Sequence, residues 1–222
     1  DEASISAMLR HGYPLAEARN YGVVGCVELA LPGKSFLSTD AALFNLPVCL
    51  ELALNGGRRI RGGGRIGAST PPPDTCTRIE DVVSAFRVQV DAMVDRFVND
   101  IQVIERGNRD HHPTPFSSML VDGCIESGRD TAAGGALYNS SGIQGVGVAD
   151  TADSLAAIEH VVFRKKRYAI SDIIRAMRAD FAGFPALRAE LLNAPKYGND
   201  HELPDAFARE VVRFFIPLSR GT

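Results

Sequence analysis

The strongest pattern along the chain is a helical spacing of apolar residues in its middle. Apolar side chains recur three and four positions apart from Ile79 to Ile104, which predicts one long amphipathic helix. Thr77-Arg-Ile-Glu80 has the spacing of a capping box at its start, and Gly107-Asn108 is the predicted stop. Asp40 stands where a second helix would have its N-cap. The weaker helical patterns, including the one after Asp40, cover 2–11, 41–56, 116–126, 150–163, 171–181 and 204–216.

Segments with the character of strands are few and short. Residues 21–29 are rich in valine and bounded by glycines, which predicts one buried strand that runs into an exposed tip at Pro32-Gly33. Residues 134–139 predict another strand, which enters a glycine-rich turn. Between these strands, 57–76 contain many glycines and three consecutive prolines, a composition typical of a surface excursion. Helices that alternate with few short strands predict an α/β fold weighted towards helix.

Composition and charge exclude several classes of protein. The 222 residues carry a net charge of −3 with a pI near 6.0, so no general positive field attracts nucleic acid. No apolar stretch reaches the roughly 18–20 residues that a membrane span needs. The four cysteines form no CxxC pair and no cluster with zinc spacing. We therefore expect a reducing, cytoplasmic environment, with no nucleic acid or membrane as partner.

Cys26 and Glu28 are the candidate pair with chemical potential. In a strand, residues two positions apart face the same side, so the thiol and the carboxylate are expected to project together. A neighbouring negative charge opposes thiol ionisation, which disfavours thiolate chemistry. The pair instead suits a thiol that exchanges hydrogen atoms beside a general base. A buried cysteine next to a surface glutamate is the alternative that spacing alone leaves open.

Other polar and reactive positions have structural interpretations. Cys124 is expected to pack in a helix, and Asp130 and Asn139 are expected to bracket turns. His111-His112 lack a third ligand at fixed spacing, which disfavours a metal site. Residues 142–147 have only a loose likeness to a dinucleotide-binding glycine pattern.

Several separated motifs occur in the order typical of one enzyme family. The motifs are Tyr21-Gly-Val-Val-Gly-Cys-Val-Glu28, Pro32-Gly-Lys34, Asp40-Ala-Ala-Leu-Phe-Asn45, Leu50-Glu-Leu-Ala-Leu-Asn-Gly56, Pro113-Thr-Pro-Phe-Ser-Ser118, Asp122-Gly-Cys-Ile-Glu-Ser-Gly-Arg-Asp130, Gly134-Gly-Ala-Leu-Tyr-Asn139 and Asp153-Ser-Leu-Ala-Ala157. In these motifs the sequence resembles the glycyl radical enzymes, the pyruvate formate-lyase-like family, in its diol dehydratase-like branch with Cys-Val-Glu.

The resemblance implies a fold and a domain organisation. The family's fold is a ten-stranded barrel of two antiparallel half-barrels wrapped in helices, of which this chain would be roughly one half-barrel. Residues 1–222 would then be one domain fragment, divided into a cysteine-loop segment (1–56), a surface excursion (57–76) and a helical and barrel segment (77–222). Half a barrel would leave strand edges unpaired and an apolar face uncovered.

The resemblance also implies a reaction. Cys26 would be the thiyl residue, Glu28 the base that deprotonates a substrate hydroxyl, and Asp40 either a hydroxyl-binding residue or the N-cap named above. The parent protein would be a lyase or dehydratase of a small hydroxylated substrate, and a homodimer. It would bind no cofactor. Its radical would be carried on a glycine outside this chain and installed by a radical S-adenosylmethionine iron–sulfur activase.

Two features bear on the subfamily, and the two ends of the sequence bear on its extent. Val27 follows Cys26 where formate lyases have a second cysteine, which disfavours acyl transfer. Leu29-Ala30 replace the Pro-Gln common in dehydratases, so the substrate stays open. An arylacetate decarboxylase, another glycyl radical enzyme and a non-catalytic α/β interaction domain are the alternatives. Asp1 and the terminal 219–222 suggest a central-to-C-terminal excerpt that lacks the glycine loop and would not turn over alone.

Overall fold

A computed structural model describes residues 1–218 of the chain, with side chains to Ile216. The helices are α1 (Glu2–Arg10), α2 (Leu15–Ala18), α3 (Leu46–Leu54), α4 (Ile79–His111), α5 (Pro115–Ser118), α6 (Cys124–Ser127), α7 (Val148–Ile158), α8 (Ile170–Arg178), α9 (Pro185–Leu192) and α10 (Glu202–Leu218). The strands are β1 (Gly22–Val24), β2 (Glu28–Ala30), β3 (Ser35–Asn45) and β4 (Tyr138–Val146). Residues 219–222, which the sequence analysis used as a sign of an excerpt, lie outside the described residues.

The chain forms two compact units, each built from two separate stretches. The first unit comprises Asp1–Ala42 and Asn99–Gln144, and the second comprises Leu43–Val98 and the described residues from Gly145 onward. The strands form two small sheets: β1 pairs with β2 in antiparallel fashion, and β3 pairs with β4. Helices outweigh strands throughout the described residues, so the predicted α/β class weighted towards helix is confirmed.

The core of the first unit lies at the base of the β1–β2 hairpin. Met8, Ala18 and Leu31 are buried together, and the aromatic rings of Tyr13 and Tyr138 lie 4.8 Å apart beside them. The predicted helix over 2–11 is confirmed as α1, whose apolar face supplies Met8. This cluster anchors the base of the hairpin, while the hairpin tip is left exposed.

The interpretation of 21–29 as one strand is wrong. The segment is a hairpin in which Gly22 lies opposite Ala30 and Val24 opposite Glu28. Residues 25–27 form the turn, and Gly25 adopts a φ of +59°, a left-handed conformation that glycine reaches without steric cost. Valine-rich residues on both sides of a glycine are as compatible with two short strands as with one long strand. The predicted tip at Pro32-Gly33 therefore moves to residues 25–27.

The predicted N-cap role of Asp40 is also wrong. Asp40 lies inside β3, and α3 begins six residues later at Leu46. Asn45 is the N-cap, because its side-chain oxygen accepts a hydrogen bond from the Val48 N–H at 3.1 Å. Pro47 lies in the first turn of α3, where its missing N–H costs no helical hydrogen bond. The pair of Asn45 and Pro47 is the signal that places this helix start correctly.

The long helix α4 differs from the prediction at both ends. At its start, the Asp81 carboxylate accepts hydrogen bonds from the N–H groups of Thr77 at 2.8 Å and Arg78 at 3.2 Å. The capping acid is therefore Asp81 and not Glu80. At the other end the helix continues through Gly107 to His111. A single glycine costs a helix only about 1 kcal/mol, so it weakens α4 without ending it.

The second unit has an apolar core around α4, α7 and α10. Phe44 is 1% exposed, and its ring lies 5.2 Å from that of Phe97 and 5.3 Å from that of Phe215. Helix α7 packs along α10 and continues into a π-helical turn, Glu159–Arg164. The buried Gln89 amide donates to the Ala68 carbonyl at 2.8 Å. That bond ties the glycine- and proline-rich excursion to the unit's core.

The remaining predictions give a mixed result. The helices predicted over 150–163 and 204–216 are confirmed, the one over 171–181 is confirmed as α8 except that it ends at Arg178, and α9 was not predicted. The helix predicted over 116–126 is wrong, because Gly123 at φ +95° separates α5 from α6.

Part of the first unit's surface is apolar, with large side chains that are more than half exposed: Phe116, Met119, Leu120, Ile125 and Leu137. Within the described residues, no helix has both the length and the apolar character to cross a membrane.

Candidate functional site

Cys26 lies in the turn of the β1–β2 hairpin and is exposed to solvent. Of the four cysteines, Cys49 and Cys124 are buried and Cys76 is half-buried. Burial raises the pKa of the Cys49 thiol to about 12, which leaves it protonated and inert at neutral pH. Cys26 is thus the accessible thiol, and the predicted packing role of Cys124 is confirmed.

Glu28 is linked to the turn that carries Cys26. Its Oε2 atom accepts hydrogen bonds from the backbone N–H of Cys26 at 2.9 Å and of Val27 at 3.0 Å. The carboxylate therefore folds back onto the turn, so the expected alternation along a strand is not what brings it to Cys26. A Cβ atom on Gly25 would lie 2.9 Å from Oε2. Glycine at this position gives the carboxylate the room to bind the turn.

The same hydrogen bonds set the ionisation of Glu28. Donation from the backbone N–H groups of Glu28 itself, Val27 and Cys26 stabilises the carboxylate, and partial desolvation opposes this only in part. The pKa of Glu28 is consequently lowered from its ordinary value of 4.5. Glu28 is therefore ionised at neutral pH and able to accept a proton.

Asp40 and Gln144 complete the group of polar residues near the turn. The Nε2 atom of Gln144 donates to Oε1 of Glu28 at 3.1 Å and also contacts Oδ1 of Asp40. Asp40 lies in β3 and Gln144 in β4, which are paired strands. Together with Cys26, these residues form one continuous set, which we call the hairpin-tip network. All four residues belong to the first unit.

Sequence reasoning did not find Gln144. It placed a strand over 134–139 and gave 142–147 only a loose likeness to a dinucleotide-binding loop, whereas the strand β4 runs from Tyr138 to Val146. Packing accounts for two of these glycines. A Cβ on Gly142 would lie 2.5 Å from the Thr39 carbonyl oxygen, and a Cβ on Gly145 would lie 2.7 Å from the ring of Phe215. Glycines in a strand often mark a close approach of another chain segment. A polar side chain between two such glycines could therefore have indicated that Gln144 lies beside a neighbouring strand.

The other polar candidates have structural roles in the described part of the chain. The Asp130 carboxylate accepts from the Thr114 N–H at 2.8 Å, the Ser118 hydroxyl at 2.9 Å and the Ala132 N–H at 2.8 Å. Asn139 donates to the Ala136 carbonyl at 2.7 Å. Both predicted turn brackets are confirmed. Among residues 1–218, no group of three or more His, Cys, Asp or Glu side chains is arranged to hold a metal ion.

Comparison with known families decides the membership of the chain. The family model described as "Pyruvate formate lyase-like" matches residues 1–221. The chain belongs to the pyruvate formate lyase-like family. The resemblance predicted from the cysteine-turn motif and the downstream motifs is thereby confirmed.

Two of the curated relatives of the chain are dehydratases. The chain is 38% identical over 219 residues to a (2S)-3-sulfopropanediol dehydratase of Klebsiella oxytoca, which covers 97% of this chain and 26% of the relative. It is 37% identical over 215 residues to a trans-4-hydroxy-L-proline dehydratase of Clostridioides difficile, covering 96% and 27%. The chain spans about a quarter of the length of these relatives.

Solved structures similar to this chain agree with these relatives. The glycerol-bound B12-independent glycerol dehydratase of Clostridium butyricum is similar with a TM-score of 0.92 and 35% identity, over 98% of this chain and 27% of that one. A glycyl radical enzyme of Archaeoglobus fulgidus gives a TM-score of 0.90 and 39% identity, with the same coverage. The predicted likeness to part of the glycyl radical enzyme fold is therefore confirmed.

Proposed function

We propose that this chain is the cysteine-bearing part of a glycyl radical dehydratase or lyase that acts on a small hydroxylated substrate. The observation that carries the proposal is the exposed Cys26 thiol on a turn whose backbone N–H groups hold the Glu28 carboxylate. A thiol and an ionised base fixed to one turn can act on adjacent atoms of one small molecule. The dehydratase relatives support the same reaction class.

The residues present fit the radical group that the family implies. A glycine-centred radical, installed on the complete protein by a radical S-adenosylmethionine iron–sulfur activase, would supply the one-electron oxidation that converts the Cys26 thiol to a thiyl. An exposed thiol at a turn tip suits this exchange, since a second chain segment can approach it. Family membership supports a small-molecule substrate and this dependence on activation. A homodimeric, cytoplasmic parent protein stays a prediction.

Cys26 would begin and end the reaction with the substrate. Its thiyl takes a hydrogen atom from a carbon that bears a hydroxyl group, so an S–H bond forms and a C–H bond breaks. The unpaired electron is then on the substrate carbon. After elimination, the product radical takes the hydrogen atom back from Cys26, which regenerates the thiyl.

Glu28 would carry the elimination step. Its carboxylate accepts the proton of the hydroxyl on the radical carbon, and the increased electron density there expels the neighbouring substituent with its bonding electrons. For a diol, the departing hydroxide then receives the proton from Glu28 and leaves as water. With a pKa below 4.5, Glu28 is ionised at neutral pH and returns the accepted proton readily to hydroxide.

Asp40 would bind a substrate hydroxyl. The competing explanation for Asp40 was a helix N-cap, and the position of Asp40 inside β3 removes it. Asp40 and Glu28 contact the same Gln144 amide nitrogen, so their two carboxylates lie close to each other at that nitrogen. Two carboxylates arranged in this way support binding of a substrate with two adjacent polar groups.

A non-catalytic interaction domain is the competing function from another class. That hypothesis requires Cys26 in a closed apolar core and Glu28 free in solvent. Instead the thiol is exposed, and the carboxylate is bonded to the turn and to Gln144. The geometry therefore favours the enzyme.

The test uses the full-length protein, activated without oxygen and given a panel of small diols. We expect a glycine-centred radical by electron paramagnetic resonance and a carbonyl product from at least one diol. Cys26→Ser should abolish product, whereas Cys76→Ser, at a half-buried thiol in the excursion, should retain it. Turnover by Cys26→Ser at the parental rate, or absence of the radical signal, would contradict the proposal. Release of carbon dioxide from an arylacetate would instead indicate a decarboxylase.

A further inference from the structure

We propose that Gln144 is a positioning residue that fixes the Glu28 carboxylate relative to Asp40 and thereby controls elimination separately from hydrogen-atom transfer. The inference rests on the proposed function of Cys26 and Glu28 and adds a residue to it. The observation is that one amide nitrogen donates to two carboxylates from different segments of the chain. A primary amide has two N–H hydrogens, so one hydrogen is available for each carboxylate.

The position of Gln144 is fixed by its strand. Gln144 lies in β4, which pairs with β3, the strand that carries Asp40. Gly142 lets the two backbones approach, because any Cβ there would meet the Thr39 carbonyl oxygen at 2.5 Å. Where β4 begins, the Tyr138 N–H donates to the Lys34 carbonyl at 3.1 Å. Backbone pairing therefore holds Gln144 beside Asp40 without help from a substrate.

The bond from Gln144 completes the hydrogen bonding of the Glu28 carboxylate. Oε2 is occupied by the two N–H groups of the turn, and Oε1 is occupied by Gln144. Without Gln144 the carboxylate could still bind the turn through one oxygen while its other oxygen changed direction. Each carboxylate oxygen has more than one lone pair, so Oε1 can accept a substrate proton while it is held. Gln144 thus orients the base without blocking it.

An amide suits this position better than a charged side chain. A lysine or arginine would form an ion pair with Glu28 and weaken it as a proton acceptor. A carboxylic acid would place a third like charge beside Glu28 and Asp40. A neutral donor can hold both carboxylates near each other without forming an ion pair with either. The choice of glutamine is therefore consistent with a base that must stay both fixed and reactive.

The consequence is that hydrogen-atom transfer and proton removal depend on different residues of the hairpin-tip network. Cys26 is held by its own turn, and hydrogen-atom transfer does not require Gln144. Proton removal by Glu28 requires that Oε1 points in a fixed direction, and it therefore does depend on Gln144. Loss of Gln144 should consequently reduce product formation more than it reduces exchange of substrate hydrogen through Cys26. A purely structural role would reduce both in proportion.

The experiment measures both quantities in the activated full-length protein with a carbon-deuterated substrate. Gln144→Met keeps the length of the side chain and removes both donors. We expect product formation to fall roughly 10- to 100-fold, the range for misplacing a catalytic group, with deuterium loss from substrate changed less than about threefold. Gln144→Glu should be more damaging than Gln144→Met, because it adds a negative charge. Gln102→Met, on the exposed surface of α4, is the matched control and should match the parent.

The outcomes separate this inference from the proposed function. If Cys26→Ser is inactive and Gln144→Met matches the parent, only the role of Gln144 is refuted. Equal losses of product and of exchange in Gln144→Met would also refute it. An order in which Gln144→Glu is milder than Gln144→Met would show that side-chain shape, and not donation to two carboxylates, is what matters. Full turnover by Cys26→Ser would refute the proposed function itself.

Discussion

Replacing Glu28 with glutamine separates the proposed role of Glu28 as a base from its structural role at the turn. The amide oxygen of the new side chain can accept from the Cys26 and Val27 N–H groups, as Oε2 does at 2.9 and 3.0 Å. Its amide nitrogen then takes the place of Oε1 and faces Nε2 of Gln144, which lies 3.1 Å from that atom in the parent. Two amide N–H donors would then face each other at this position, whereas the hydrogen bonds from the Cys26 and Val27 N–H groups would be kept.

The expected effect on catalysis follows from these contacts. The turn that presents Cys26 is preserved, so hydrogen-atom exchange with substrate should stay within a few-fold of the parental rate. Proton removal is lost, and a single general base contributes typically about 10² to 10⁴ in rate. Glu28→Gln should therefore lower product formation by about that factor and leave exchange largely intact.

The assay monitors product and deuterium loss in the same anaerobic reaction of the activated full-length protein. Cys26→Ser is the control that should lose both signals. Measurement of the glycine radical content of each variant makes certain that equal amounts of activated enzyme are compared. If Glu28→Gln formed product at the parental rate, the eliminating role of Glu28 would be wrong. If it lost exchange as completely as Cys26→Ser, Glu28 would serve mainly to hold the turn.

Further predictions concern stability and accessibility. Asn45→Ala should destabilise the protein by about 1 kcal/mol in denaturant unfolding through loss of the α3 cap, and Asp40→Ala should lack this helix effect. Phe44→Ala should cost about 3–5 kcal/mol, because it empties a buried aromatic site. Cys49 should resist thiol reagents until the protein unfolds. Hydrogen bonds donated by Thr77 and Arg78 lower the pKa of the Asp81 carboxyl below 3.8. The carboxylate therefore stabilises the folded protein above pH 3.8, and this stabilisation is lost as the pH falls through the pKa of Asp81 in the folded state. The stability difference between parent and Asp81→Asn should narrow accordingly in acid.

Periodic features of the chain were predictable because many residues contribute to them. The apolar stripe of α4 identified a helix whose buried residues include Val82, Phe86, Val90 and Val94. Its ends were less predictable. At the C-terminal end, the cost of about 1 kcal/mol for Gly107 is too small to stop a helix that is favoured on both sides of it. The start of α3 was misplaced because Asp40 and Asn45 are both good N-caps. The preference for Asn45 comes from strand pairing of β3, which is not local to the sequence.

The candidate site was predictable only in part, for a related reason. Cys26 and Glu28 are close in sequence and were found together, although the hairpin and not a single strand connects them. Gln144 is 116 residues from Glu28 and 104 residues from Asp40. No local pattern joins residues at such separations. Only the pairing of β3 with β4 brings the amide to the two carboxylates.

The separation between Glu28 and Gln144 has a consequence for how the site is assembled during folding. The hairpin that carries Cys26 closes within nine residues, from Gly22 to Ala30, so it can form early and locally. The bond from Gln144 closes a loop of more than a hundred residues, and such contacts form late because their chain entropy is lost before they are stabilised. A nascent chain that ends before β4 would carry its thiol on a hairpin whose glutamate lacks its second anchor. The Cys26 thiol would therefore be present in the growing chain before the residue that fixes the neighbouring carboxylate.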